Sequence, residues 1–461
     1  MVRSIKGWES GSHAPDALHR RVLDRVFEAH ALAEDSGEVR ELATVDFVTH
    51  LARQSGRSLT EVYGQVAHRA EQLVAEATAA RLEREFQQRN LTCDDLTAAV
   101  VSYYDADESR YWQTTVGGET LRLPLLIRPE WTGLNVDLNS QPSGEFDVSA
   151  HGAIGPVDEP MFDAAVERLA DAEANQKVLY DNPIYRLVDT RSPDGDFRLR
   201  FGSARFADFA LGCGLMEAEL ARFLTAGGGT PIRDTLLPSV AAAEDLMGYV
   251  CAGGPVGLFA VARPAEGTRP PDYALLLQVR GAQVMDLSGR LSTIPKGWHQ
   301  PVSEIAAQSD LRATLLRELE EELLGAEELE LITAESRRTA DPLHARARSA
   351  ALEPFLHQTK GYHLRLAGFG LNLLAGTFEA PCLVAIDDEN WWQDNGHLVT
   401  GNWETSGIEV HSSADADGVA RLIRDPRWVS EGLFSLVEGL RCLAEVGDPD
   451  RVALPTGVAG R

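Results

Sequence analysis

Glu318, Glu321 and Glu322 stand at i, i+3 and i+4 in the run L-R-A-T-L-L-R-E-L-E-E-E-L-L that occupies positions 311–324. On a helix this spacing brings three carboxylates onto one face. Carboxylates that close repel one another unless a cation neutralises them. An all-oxygen ligand set suits a hard ion, Mg²⁺ or Mn²⁺, which keeps waters and shares the phosphates of a substrate. Leu311, Leu315, Leu319 and Leu323 fall on the opposite face and are expected to seat the helix on a sheet. The loop before it, Ile294-Pro295-Lys296-Gly297-Trp298-His299-Gln300-Pro301, carries two side chains, His299 and Gln300, expected either to touch a ligand or, equally, to hydrogen-bond within the loop. The alternative for the same glutamates is an acidic solvent face, in a chain whose 43 basic and 70 acidic residues leave a net charge of −27.

Arg317-Glu318-Leu319-Glu320-Glu321-Glu322 resembles the core of the Nudix box, R-E-hydrophobic-x-E-E, set behind a strand and a glycine-bearing loop. The resemblance implies that Glu318, Glu321 and Glu322 ligate Mg²⁺ or Mn²⁺ and that Arg317 braces the loop. In a hydrolase, Glu304, the nearest match for the family's upstream glutamate, would take a proton from an attacking water. The box departs from the pattern in three places. Leu324 stands where the family has glycine, the Gly297-to-Arg317 spacing is longer, and Glu304 is out of register.

A second resemblance lies at the amino end. Ser4-Ile5-Lys6-Gly7-Trp8-Glu9-Ser10-Gly11, Ala14-Pro15-Asp16 and Leu18-His19-Arg20-Arg21-Val22-Leu23 resemble the close of a lambda-repressor-like (Xre-type) helix-turn-helix, entered inside its recognition helix. Two further helices are therefore expected upstream. Asn182-Pro183-Ile184-Tyr185-Arg186-Leu187 and Phe197-Arg198-Leu199-Arg200-Phe201-Gly202 resemble the middle region of bacterial regulators that join such a head to a Nudix-like tail.

The remaining elements are read from periodicity. Helices are expected from about 16 to 104, with Ser58 and Glu61 as a capping box and Asp94 or Asp95 opening the last. Gly117-Gly118 joins strands at 111–116 and 120–127 in a hairpin. A helix at 160–179, a strand at 196–201 and a helix at 211–224 lead to Gly227-Gly228-Gly229, a linker. Strands follow at 273–279, 283–287 and 292–294, then the 311–324 helix. Further strands at 362–367, 370–378 and 382–386 precede a terminal helix at 429–444. The expected architecture is α+β and multidomain: a helix-turn-helix remnant (1–28), a helical segment (29–105), a small α/β middle region (106–232) and a Nudix-like α/β/α sandwich (233–461).

Five scattered cysteines without a C-x-x-C pair argue for a reducing cytoplasm and against a zinc site. The uncharged stretch 246–262 is broken by Gly253, Gly254 and Pro255, too short a run to span a membrane. Trp391, Trp392 and Trp403 are expected in the core, with base stacking as the alternative, and His357 and His363 flank Lys360-Gly361 without metal-ligand spacing. The functional expectation is a regulator-type protein that binds a nucleotide-derived or phosphorylated metabolite with a divalent metal. Its rivals are a Mg²⁺-dependent hydrolase of nucleoside diphosphate derivatives and a non-catalytic interaction module. Expected partners are a nucleotide-like small molecule, DNA only with a complete helix-turn-helix, and a possible homodimer, but no membrane.

Overall fold

The computed structural model describes residues 44–75, 91–175, 179, 181–192, 197–280, 289–301, 309–324, 349–396, 399 and 405–458. The Trp8 segment, Glu304 and Trp403 lie outside them, as does the strand expected at 283–287.

The protein is α+β. Amphipathic helices α1 (Val45–Ser55), α2 (Leu59–Ala75) and α3 (Cys93–Tyr104) come first. Ser58 Oγ accepts the Glu61 N–H at 3.2 Å, as a cap should. The cap of α3 is Thr92, in a reciprocal box with Asp95, and not either aspartate. The expected hairpin forms as β1 (Tyr111–Val116) and β2 (Glu119–Leu126), turned by Gly117 and Gly118 at φ +62° and +86°. Then follow β3 (Val136–Asp137), β4 (Gly144–His151), α4 (Glu159–Ala174), β5 (Pro183–Arg191), β6 (Arg198–Arg205) and α5 (Met216–Ala226). The second half comprises β7 (Gly253–Arg263), β8 (Asp272–Arg280), β9 (Leu291–Thr293), α6 (Leu311–Leu323), β10 (Tyr362–Leu366), β11 (Gly370–Asn372), β12 (Thr377–Ile386), α7 (Glu389–Asn395), β13 (Thr405–Ser412) and α8 (Ser430–Val446).

Among the described residues one sheet has ten strands, with main path β1-β2-β11-β12-β7-β8-β13, and a second orders β4-β6-β5. The large sheet takes β1, β2 and β3 from the expected middle region. β2 pairs with β11 and β3 with β10, so the division at 232/233 does not separate two sheets. Nor does it separate two cores. Phe47, Phe162, Phe201, Leu315 and Phe378 all belong to one buried cluster.

The centre of the sheet is the parallel pair β7–β12, buried along almost its whole length. A strand covered on both faces needs no alternation, which is why 253–262 reads as an uninterrupted apolar run. Phe259, Val261, Phe378 and Val384 join the cluster that contains the leucines of α6. Leu258, Ala260, Leu383 and Ala385 join the other, with Phe434, Val437 and Leu440 of α8. Helix α6 therefore covers one face and α8 the other. The strand expected at 370–378 is instead two, β11 and β12, reversed at Gly376 (φ +68°). No helix among the described residues is long and apolar enough to cross a membrane.

Gly227–Gly229 is exposed, and a protease is expected to cut there first. The pieces should stay together, because the β2–β11 and β3–β10 ladders cross the cut. Limited proteolysis followed by native size exclusion checks this. Fragments that separate without denaturant would refute the shared sheet.

Candidate functional site

The loop 294–301 lies along the edge of β7 that β8 leaves empty. β8 pairs with β7 only over Ala260–Arg263; at 253–257 the loop takes its place. Gly257 donates to the Pro295 carbonyl (2.7 Å) and His299 to that of Gly253 (2.8 Å). The backbones approach so closely that a Cβ on Gly254 would sit 1.9 Å from the Gly297 oxygen.

Helix α6 grips the outer side of this loop. Arg317 Nη1 donates to the Gln300 carbonyl (3.1 Å) and Nη2 to that of Trp298 (3.2 Å), and it also pairs with Glu318 Oε1 at 2.8 Å. Glu318 packs on Gly297, where a Cβ would lie 2.0 Å from its carboxyl carbon. Glu322, buried, accepts the main-chain N–H of Lys296 at 2.7 Å. Arg317 thus braces the loop, and two of the three glutamates face it. Glu321 is half-buried. Glu320, given no role by the spacing, is buried and accepts the Ser349 N–H and hydroxyl at 2.6 and 2.9 Å. Burial raises its pKa, and these bonds pull it back.

The helix is therefore not an acidic solvent face. Among the described residues no group of three or more His, Cys, Asp or Glu side chains could hold a metal. Glu318 is matched by Arg317, and Glu322 accepts from an amide.

His299 faces the protein interior. It is fully buried, with Nε2 donating to the Ser309 carbonyl (3.1 Å) and Nδ1 accepting from the Thr314 hydroxyl (2.8 Å). The Tyr185 and Phe201 rings lie 4.3 and 4.6 Å from it. The carbonyl can only accept, so the neutral ring carries its proton on Nε2. Burial drops its pKa to about 3. Gln300 is half-buried and serves through its carbonyl. Trp391 is a core residue against Phe259 (5.6 Å), and Trp392 lies beneath Arg263. His357 is exposed beside Glu353, and His363 bonds Asp387 at 2.9 Å, which also accepts the Tyr273 hydroxyl at 2.7 Å. A groove of about 440 Å³ between α3 and β2, lined by Asp94, Thr97, Ser102 and Arg122, shares no residue with this loop.

Spacing missed Lys296 and Glu431. The Lys296 ammonium lies 2.5 Å from Glu431 of α8. It missed Glu379 of β12 as well, whose only signal is a single acid in an otherwise uncharged strand. No protein-family model matches the chain, and no curated protein matches it.

His299 makes stability depend on pH. Its folded pKa lies below the ordinary 6.5, so under acid the unfolded chain binds a proton the folded one refuses. The contribution is complete above about pH 6.5 and falls by about 1.4 kcal/mol per unit toward pH 3. His299→Gln should be less stable at pH 7, and the gap should narrow at that slope between pH 6 and 4. Urea unfolding at stepped pH measures it, and a constant gap would contradict a neutral buried imidazole.

Proposed function

We propose that the chain is a regulator-type protein whose Nudix-like region, the 294–301 loop with α6, binds a nucleotide-derived or other phosphorylated metabolite without hydrolysing it. The observation that carries this reading is how the box is used. A hydrolase needs its carboxylates turned toward a cation that activates water. Here Glu318 is matched by Arg317, and Glu322 holds the Lys296 amide. Mg²⁺ or Mn²⁺ enters this reading as a companion of the ligand's phosphates and not as a resident group. The DNA-directed half rests on the Trp8 resemblance alone.

Thermal melts with a panel of nucleoside diphosphate derivatives, with and without millimolar Mg²⁺, test it. The expected outcome is a ligand-dependent rise, worth about 2.7 kcal/mol at a hundredfold excess over Kd, with the ligand recovered intact. Phosphate-bearing products that vanish in the Glu321→Gln, Glu322→Gln double variant would assign a hydrolase instead. No shift with any member would leave the interaction module.

A further inference from the structure

Three charged side chains given no part in ligand binding meet beside the amino ends of β7 and β12. Glu379 of β12 pairs with Gly254 of β7 on one side and Gly370 of β11 on the other. Its neighbours Phe378 and Ala380 enter the core beneath α6, so alternation points Glu379 toward α8. It is 6% exposed, and its Oε1 accepts from Thr377 Oγ1 (2.6 Å) and Asn372 Nδ2 (3.3 Å). Glu431, in the first turn of α8, takes the Lys296 ammonium at 2.5 Å and the Ser430 hydroxyl at 3.2 Å. Lys296 lies opposite Val256, whose carbonyl accepts from Ser435 of α8 at 2.5 Å. The charges acting on Glu379 are Lys296 from the loop and Glu431 from α8. Arg280, at the end of β8, acts on Glu431, and the flanking strands present glycine to Glu379.

One ammonium, paired with Glu431, thus stands near a second carboxylate, the buried Glu379. With a proton on Glu379 the trio is neutral; without it the trio carries a net negative charge at a partly buried site, which is unfavourable. Burial and the Glu431 charge push Glu379 up to about 7, against the pull of Lys296, Thr377 and Asn372. Burial would raise Glu431 too, but Lys296 holds it below the ordinary carboxylate range.

We propose that Glu379, Lys296 and Glu431 form a proton-operated latch between the 294–301 loop and the start of α8. With Glu379 protonated, the ammonium is committed to Glu431 and the helix is docked. With Glu379 ionised, the ammonium is divided between two carboxylates and the docking loosens. The Lys296 amide also holds Glu322, so the change reaches α6 on the opposite face of the sheet. The latch needs no ligand and stands independently of the binding reading.

Glu379→Gln removes the charge and nearly keeps the shape. The folded wild type holds a proton that the unfolded chain releases above the ordinary carboxylate range, so this contribution to its stability falls as pH rises toward 7 and is absent from the variant. The ratio of unfolding constants, wild type over variant, should rise about tenfold per pH unit between pH 5 and 7 and level off above. The His299 contribution is common to both and cancels. A constant ratio from pH 5 to 8 would overturn the proposal. Hydrogen exchange of the wild type alone, corrected for intrinsic rates, decides the matter even where the variant does not fold. Between pH 6 and 8, amides of 296–299 and 430–434 should lose protection while those of β8 keep theirs. Uniform loss, or none, would overturn the latch.

Discussion

Everything at this site hangs on one run of backbone, 295–299, laid against the vacant edge of β7. A sheet interior tolerates no unpaired ladder positions, since a buried N–H or C=O left unmade costs about 1–3 kcal/mol. Where β8 diverges, the loop supplies those partners. Glycine at 254 and 297 lets the two chains, and Glu318, approach to distances a Cβ would forbid. The side chains around it then divide by face. Arg317, Glu318, Glu322 and His299 secure the loop to α6, while Lys296 secures it to α8.

This division explains the behaviour of the box. Glutamates at i and i+4 on a helix can converge on a cation or on the donors of a passing main chain. The spacing is the same in either case. What decides is whether a chain lies within reach, and here one does. Glu322 and the arginine-matched Glu318 are buried or nearly so with partners of their own. A buried carboxylate without such partners would be strongly destabilising.

Local signals were legible. The leucine stripe of α6, the Gly117-Gly118 hairpin, the 311 start of α6 and the terminal helix follow from periodicity and turn chemistry. What lay beyond reach was long-range. β7 hid inside a uniform apolar run because burial on both faces erases alternation. The joining of β1–β3 to strands more than two hundred residues later leaves no local trace. His299 reads equally as a ligand contact or a loop bond because a loop histidine beside an acidic helix has the same sequence whether it faces a pocket or Tyr185 and Phe201. Glu431 and Glu379 lie 52 residues apart, so nothing in either neighbourhood announces the other.

The two faces also carry opposed proton linkages. His299, under α6, refuses a proton the unfolded chain accepts, so its contribution grows with pH from about 3 to the ordinary histidine value near 6.5. Glu379, under α8, keeps a proton the unfolded chain releases, so its contribution shrinks from the ordinary glutamate value to about 7. Over the window where both operate, roughly pH 4.5 to 6.5, the two contributions run in opposite directions. Acid below that window acts through the histidine alone, and the last half unit before neutrality through the glutamate alone. At the upper edge a change at Glu379 reaches Lys296 and, through its amide, Glu322 of α6.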